Sequence, residues 1–233
     1  FHLAYQPKVN IRINQLQGLE ALLRWNSPTR GNVSPGNFIP VAEESGHIIP
    51  LGYWVLNEVC LTLRSWQDKG LTLVPVSVNV SARQFQQPDF HKRVAEVLRK
   101  HSIDPSLIEI ELTEGLVMED IDSAQRELAQ LKKIGLRISI DDFGTGYSCL
   151  SYLRRFPIDV LKIDKSFVQE IGGSRDGESI IDAIISLAKS LRLETVAEGV
   201  ETAAQLHYLL DHGCHVVQGF LFGKPMEMHL IEP

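Results

Sequence analysis

Residues 107–112 (LIEIEL), 121–134 (IDSAQRELAQLKKI) and 136–140 (LRISI) decide the fold. The outer two are short, rich in Leu and Ile and bounded by polar residues, the pattern of buried strands. The middle one has helical spacing with Leu128 and Leu131 facing inward, and Gly135 stands where such a helix would stop. Strand, helix and strand in so short a span predict a parallel pair joined by a crossover. The alternation extends both ways. Upstream, residues 74–80 (VPVSVNV) read as a strand and Phe90–Leu98 as a helix with Phe90, Val94, Val97 and Leu98 on one face. Downstream, Ile158–Ile163, Thr195–Ala197 and Cys214–Gln218 read as strands, with helices over Ile180–Leu191 and Ala203–Leu210. So many βα units, with no Pro-, Gly- or Ser-rich linker between them, predict one α/β domain of the (β/α)8 barrel class.

The 233 residues suffice for one large domain that buries its own core. Apolar residues at 44% and charged residues at 22% exclude a disordered chain. A net charge of −6 argues against DNA as a partner, because coating a duplex needs a basic face. A nucleotide phosphate could still be held through metal ions. Cys60, Cys149 and Cys214 lie far apart with no CxxC pair, so neither a zinc site nor a disulfide framework is expected. A reducing, cytoplasmic setting fits. No run approaches the roughly 18 apolar residues of a membrane helix; the longest, Ile48–Leu56, contains Pro50. The chain opens at Phe1 in strand-like residues, so residues 1–233 are read as a single domain of a longer protein.

Polar residues stand at the ends of the strands. Glu20 follows LQGL, Asn79 ends VPVSVN, Glu111 ends IEIE, and Asp141 and Asp142 end RISIDD. Lys162 lies in VLKID, Glu198 ends ETVAE and Gln218 ends HVVQ. A lone carboxylate after a strand is usually a helix cap or a solvated loop residue. The same placement repeated from strand to strand predicts convergence at the C-terminal face of a barrel. Carboxylates crowded there repel unless cations neutralise them. All-oxygen donors point to Mg²⁺ or Mn²⁺, and one carboxylate bridging two ions is the arrangement that hydrolyses phosphate esters. Lys162 would add a charge for a phosphate oxygen or an attacking water.

Three other signals are weaker. Asp142-Phe143-Gly144 spells a kinase triplet, but no HRD-type loop or VAIK strand accompanies it. Gly144-Thr145-Gly146 is a lone GxG, and no GxxxxGK[ST] occurs. His207, His212 and His215 lack helical metal-ligand spacing.

Tyr5-Gln6-Pro7, Glu20-Ala21-Leu22 leading into Arg24-Trp25, Phe38-Ile39-Pro40 and Ser77–Ser81 (SVNVS) stand in order along the chain. They are followed by Glu111–Glu114 (ELTE), Asp141–Ser148 (DDFGTGYS), Lys162-Ile163-Asp164, Glu198–Glu201 (EGVE) and Gln218-Gly219-Phe220. In this register they resemble the EAL-domain cyclic di-GMP phosphodiesterases of bacterial signalling. The resemblance implies a modified TIM barrel with its first strand antiparallel, and hydrolysis of 3′,5′-cyclic di-GMP to linear pGpG. It implies that Glu20, Asn79, Glu111 and Asp141 hold one Mg²⁺ or Mn²⁺ ion. Asp141 would bridge to a second ion held also by Asp142, with Glu198 as ligand or base. Lys162 would orient the attacking water and Gln218 support the water network. Arg24 and Asp164 match positions that contact phosphate and guanine; Gln6, Leu22, Ser81, Glu201 and Phe220 are further substrate-binding positions. Inhibition by Ca²⁺, a homodimer, and sensor or GGDEF-type domains upstream are also implied. Cys149 stands where the family usually has a second Ser.

Two rival readings differ in class. One is a receptor that binds cyclic di-GMP without cleaving it, although no metal-ligand position departs from the pattern. The other is a barrel aldolase or enolase using Lys162, which leaves Asn79 and Arg24 without a role. Glu114, three residues after Glu111, is expected in the loop beyond the strand. There it would anchor the loop carrying Gly144, Thr145 and Gly146, which the resemblance implies is a link to the dimer interface. A helix-capping role for Glu114 is the competing expectation.

Overall fold

Two long strands open the chain, β1 (His2–Asn10) and β2 (Gln15–Ser27), paired antiparallel with Gln6 opposite Glu20. The computed structural model describes residues 1–145, 153–173 and 175–231. A short β3 (Gly31–Val33) folds back on the end of β2. Next come β4 (Val76–Asn79), β5 (Ile108–Thr113), β6 (Arg137–Phe143), β7 (Val160–Ile163), β8 (Glu194–Ala197) and β9 (Val216–Gln218). From β4 onward each strand is parallel to the one before, and β4 is parallel to β2. β9 pairs antiparallel with β1, which closes a barrel of eight strands with β3 outside it. Within the barrel β1 alone runs against the rest, as the resemblance implied.

The helices pack outside. They are α1 (Pro35–Glu44), α2 (Ile48–Asp68), α3 (Ala82–Phe85), α4 (Phe90–His101), α5 (Glu114–Glu119) and α6 (Ile121–Ile134), then α7 (Lys165–Gln169), α8 (Arg175–Leu191) and α9 (Ala203–His212). Asp120 caps α6 by accepting from Ser123 N–H, and Gly135 stops it at φ 105°, where glycine carries no side-chain penalty. The long α2 was visible in the sequence only as an apolar run. Its Pro50 lies in the first turn, where a missing N–H costs no helical bond, so the helix runs on. It buries Val55, Leu56, Val59, Cys60, Leu63 and Trp66 against the barrel.

Strand alternation divides the core. Val76, Val78, Ile108, Ile110, Leu112, Ile138, Ile140, Leu161 and Ile163 belong to the main buried cluster under the helices. The alternate positions Ser77, Asn79, Glu109, Glu111, Ser139, Asp141 and Lys162 then point into the barrel. Val160, Val196 and Val216 form a separate buried cluster on the same inward register. Gly146, Tyr147 and Ser148 of the DDFGTGYS segment, and Cys149 and Leu150 after it, lie outside the described residues.

Candidate active site

At the strand ends the inward positions meet around Lys162, whose side chain is fully buried. Its Nζ lies 2.5 Å from Glu198 Oε1, 3.0 Å from Glu111 Oε2, 3.2 Å from Asp141 Oδ2 and 3.8 Å from Glu20 Oε2. Glu20 also accepts from Asn79 Nδ2 at 2.7 Å and from Gln218 Nε2 at 2.6 Å. Gln218 Nε2 donates to Gln6 Oε1 as well, and Gln6 Nε2 donates to the Gly223 carbonyl. Asp142 follows at φ 53°, its N–H donating to Asp141 Oδ1 at 2.9 Å. The metal and catalytic candidates of the sequence thus meet at one mouth.

Negative charge there exceeds what Lys162 neutralises. Burial, with Asp141 and Glu20 nearby, pushes the Glu198 carboxyl up to about 8 despite the lysine contact. Burial, then Asp141 and Asp164, push Asp142 to about 6. Burial alone would lower Lys162 and raise Glu20. Glu111, Glu198, Glu20 and Asp141 instead hold Lys162 well above the usual lysine value, and Lys162 and Lys8 hold Glu20 below the usual carboxylate value. Among the described residues no three His, Cys, Asp or Glu side chains are grouped to hold an ion as they stand; the carboxylates close instead on Lys162 Nζ. The donor set still fits a hard divalent cation. It is carboxylate and amide oxygen only, it carries excess negative charge, and Gln218 Oε1 is buried without a hydrogen-bond partner.

A cavity of about 320 Å³ adjoins this mouth, lined among others by Leu22, Arg24, Ile39, Asn79, Ser81 and Gln84. Three substrate candidates of the sequence, Leu22, Arg24 and Ser81, therefore share one wall. Arg24 Nη1 donates to the Leu23 carbonyl, and Ser81 Oγ caps α3 by accepting from Gln84 N–H. Asp164 Oδ1 caps α7 by accepting from Ser166 N–H. Glu201 and Phe220 are exposed, with Lys224 Nζ 5.4 Å from the Phe220 ring centre. A larger cavity of about 1160 Å³ is lined by Phe1, Trp25, Phe38 and Trp54 among others, and none of the acidic cluster reaches it.

Glu114 requires a correction. It is the first residue of α5 rather than a loop residue, and it is buried. Its Oε2 accepts from Gly144 N–H at 3.1 Å, so it grips the segment after Asp142 from a helix start. Thr145 turns back on Asp142 instead, Oγ1 donating to the Asp142 carbonyl at 2.8 Å.

Sequence reasoning missed a second polar tier beneath the mouth. Lys8 Nζ donates to Ser77 Oγ at 2.5 Å, Glu109 Oε1 at 2.9 Å and Glu111 Oε1 at 2.6 Å. The signal was the period of two, because Lys8, Ser77 and Glu109 each stand two residues from a mouth residue on the same strand.

A barrel closed by one antiparallel strand, with an acidic mouth around a buried lysine, defines the class. The chain belongs to the EAL domain family, whose model matches residues 1–225. It is 46% identical over 224 residues to the bifunctional diguanylate cyclase/cyclic di-GMP phosphodiesterase MucR of Pseudomonas aeruginosa, covering 96% of this chain and 33% of that protein. It is 43% identical over 222 residues to the cyclic di-GMP phosphodiesterase PdeR of Escherichia coli, covering 95% of this chain and 33% of that protein. The chain thus spans about a third of the length of these relatives. A solved structure described as the PaMucR phosphodiesterase in complex with c-di-GMP superposes with a TM-score of 0.95 at 45% identity, over 98% of this chain and 93% of that one.

Proposed function

We propose that this domain hydrolyses 3′,5′-cyclic di-GMP to linear pGpG with two divalent ions, Mg²⁺ or Mn²⁺. The observation that carries the reading is the convergence of Glu20, Glu111, Asp141 and Glu198 within 3.8 Å of Lys162 Nζ. The names of the similar proteins support it. Glu20, Asn79, Glu111 and Asp141 would hold one ion, and Asp141, Asp142 and Glu198 the other. Bound ions of this kind acidify a water and offset charge on a phosphate. Lys162 orients the attacking water and faces the charge that grows on the phosphoryl oxygens. Gln218 holds Glu20 in place. Arg24 takes a phosphate oxygen through a charge-assisted bond. Leu22 and Phe220 supply apolar contact to the guanines, and Gln6, Ser81, Asp164 and Glu201 polar contact.

The domain is proposed to act as part of a longer, dimeric signalling protein in the cytoplasm, joined to GGDEF-type or sensor domains. No helix among the described residues is long and apolar enough to cross a membrane. Incubation with cyclic di-GMP and Mg²⁺ or Mn²⁺, followed by chromatography, should show pGpG, and excess EDTA should abolish it. Tight binding with no product would favour the receptor reading.

A further inference from the structure

The structure assigns to Lys8 a positioning role toward Glu111, an inference that rests on the reading above that Glu111 holds an ion. Lys8 comes from β1, the strand that runs against the others, and its side chain is only 5% exposed. An ammonium has three N–H donors, and here each has an acceptor: Ser77 Oγ, Glu109 Oε1 and Glu111 Oε1. Glu111 is therefore gripped from below by Oε1, at 2.6 Å, while Oε2 alone is turned to the mouth, 3.0 Å from Lys162 Nζ. A carboxylate pinned through one oxygen presents the other in a fixed direction, which is what a partner behind a metal ligand supplies.

Lys8 is itself held. Ser77 Oγ donates to Glu109 Oε1 at 2.8 Å, and Glu109 Oε2 lies 3.2 Å from Arg137 Nε. Arg137 Nη2 reaches Glu194 Oε2 at 2.6 Å. Arg137 and Glu194 are the first residues of β6 and β8, at the end of the barrel away from the mouth. A column of alternating charge thus runs from that end through Glu194, Arg137, Glu109, Lys8 and Glu111 to Lys162. Lys8 is the link that turns this column into an orientation for Glu111.

The test uses Lys8→Met, which keeps the unbranched side chain without its charge, and the double variant Lys8→Met/Glu109→Gln. The double variant removes one positive and one negative charge together, so the net charge of the barrel interior is unchanged and Glu111 still loses its grip. Mn²⁺ alone is titrated by calorimetry into each protein, and folding is followed by circular dichroism. The expected result is a folded double variant whose Mn²⁺ affinity falls roughly 10–100-fold, the usual loss when a partner of a metal ligand is removed. Its kcat on cyclic di-GMP should fall while KM stays within about twofold, since Lys8 lies beneath the mouth and away from the substrate. Mn²⁺ affinity within about twofold of the parent would overturn the inference, as would a double variant that does not fold, or a parent that binds no Mn²⁺. A parent that binds Mn²⁺ and leaves cyclic di-GMP intact would refute the hydrolase reading, while the Mn²⁺ comparison would still decide the role of Lys8.

Discussion

Lys162 Nζ lies 2.5 Å from Glu198 Oε1, yet the Glu198 carboxyl is pushed up to about 8. The contact and the raised value belong together. Burial penalises the carboxylate first, Asp141 and Glu20 add like charge, and Lys162 divides its own charge among four carboxylates. One ammonium cannot neutralise them all, so at Glu198 burial and like charge outweigh the lysine contact.

Replacing Lys162 by Met should therefore harm two properties separately. In EDTA the protein should lose about 3–5 kcal/mol of stability, the usual cost of leaving buried charges without their partner. Saturating Mg²⁺ should restore part of the melting temperature by binding the folded state, while hydrolysis of cyclic di-GMP stays absent. Calorimetry with and without Mg²⁺ reads the first effect and product chromatography the second; an unchanged melting temperature in EDTA would contradict the shared-charge account.

Metal choice gives a second expectation. Oxygen donors on short, buried strands suit the compact octahedral shell of Mg²⁺, whereas Ca²⁺ takes longer bonds and a looser shell. Mg²⁺ or Mn²⁺ should support turnover, and Ca²⁺ added to the Mg²⁺ reaction should inhibit it. Equal rates with Ca²⁺ alone would count against the proposed ligand set.

Gly219 offers a test of how the mouth is braced. A Cβ at this position would sit 2.1 Å from the Val200 carbonyl oxygen and 2.3 Å from its nitrogen, both backbone atoms. Val200 N–H also donates to the Gln218 carbonyl, so the Glu198 loop and the end of β9 are pressed together. Gly219→Ala should push them apart, at about 1–3 kcal/mol for overpacking, and draw Gln218 off Glu20. Lower melting temperature together with a fall in kcat is expected, and a variant of parental stability and rate would refute the brace.

What the sequence made legible follows from where each residue sits. Asn79, Glu111, Asp141, Glu198 and Gln218 could be found because each closes a strand-like run, where polarity is conspicuous, whereas Glu20 lies within β2 and not at its end. Lys8 and Glu109 lie inside strands, and a charged residue that alternates with Val or Ile normally faces water. Only closure of the barrel turns that face into an interior, and no local pattern reports closure. Glu114 was misplaced for a related reason: α5 is six residues long, with Gly115 second in it, too short to show helical spacing. The strand β6 runs past its apolar core to Phe143, with a register shift against β7 between Ile140 and Phe143, and only pairing defines that extension.

The described thiols should be inert. Burial raises Cys60 to about 12, and burial likewise raises Cys214 to about 11, where the thiol also donates to the Thr195 and Val216 carbonyls. The shift is upward, so at pH 8 both remain thiols and neither is the nucleophilic thiolate. Iodoacetamide at that pH, mapped by peptide mass spectrometry, should leave Cys60 and Cys214 unmodified in the native protein and label both in urea. Native labelling of either at the rate of a free thiol would show that its helix or strand opens.

Glu114 separates two roles that the sequence left in competition. Its carboxylate stands in the first turn of α5, where negative charge meets the positive end of the helix, worth about 0.3–1 kcal/mol. The same carboxylate accepts from Gly144 N–H, at φ 95°, two residues after Asp142 at φ 53°. A non-glycine residue such as Asp142 adopts a left-handed φ only when its surroundings hold it, whereas Gly144 takes one freely. Glu114→Gln keeps an oxygen to accept the Gly144 bond and removes the charge; Glu114→Ala removes both. If the grip on Gly144 sets the position of Asp142, Glu114→Gln should retain most of the turnover with a small drop in melting temperature. Glu114→Ala should then lose turnover and Mn²⁺ affinity by roughly tenfold or more, as expected when support behind a metal ligand is removed. The sedimentation profile of Glu114→Ala should shift as well, if the loop also serves a dimer contact. Equal turnover per folded molecule in both variants, with melting temperature falling equally, would leave the helix start as the role of Glu114.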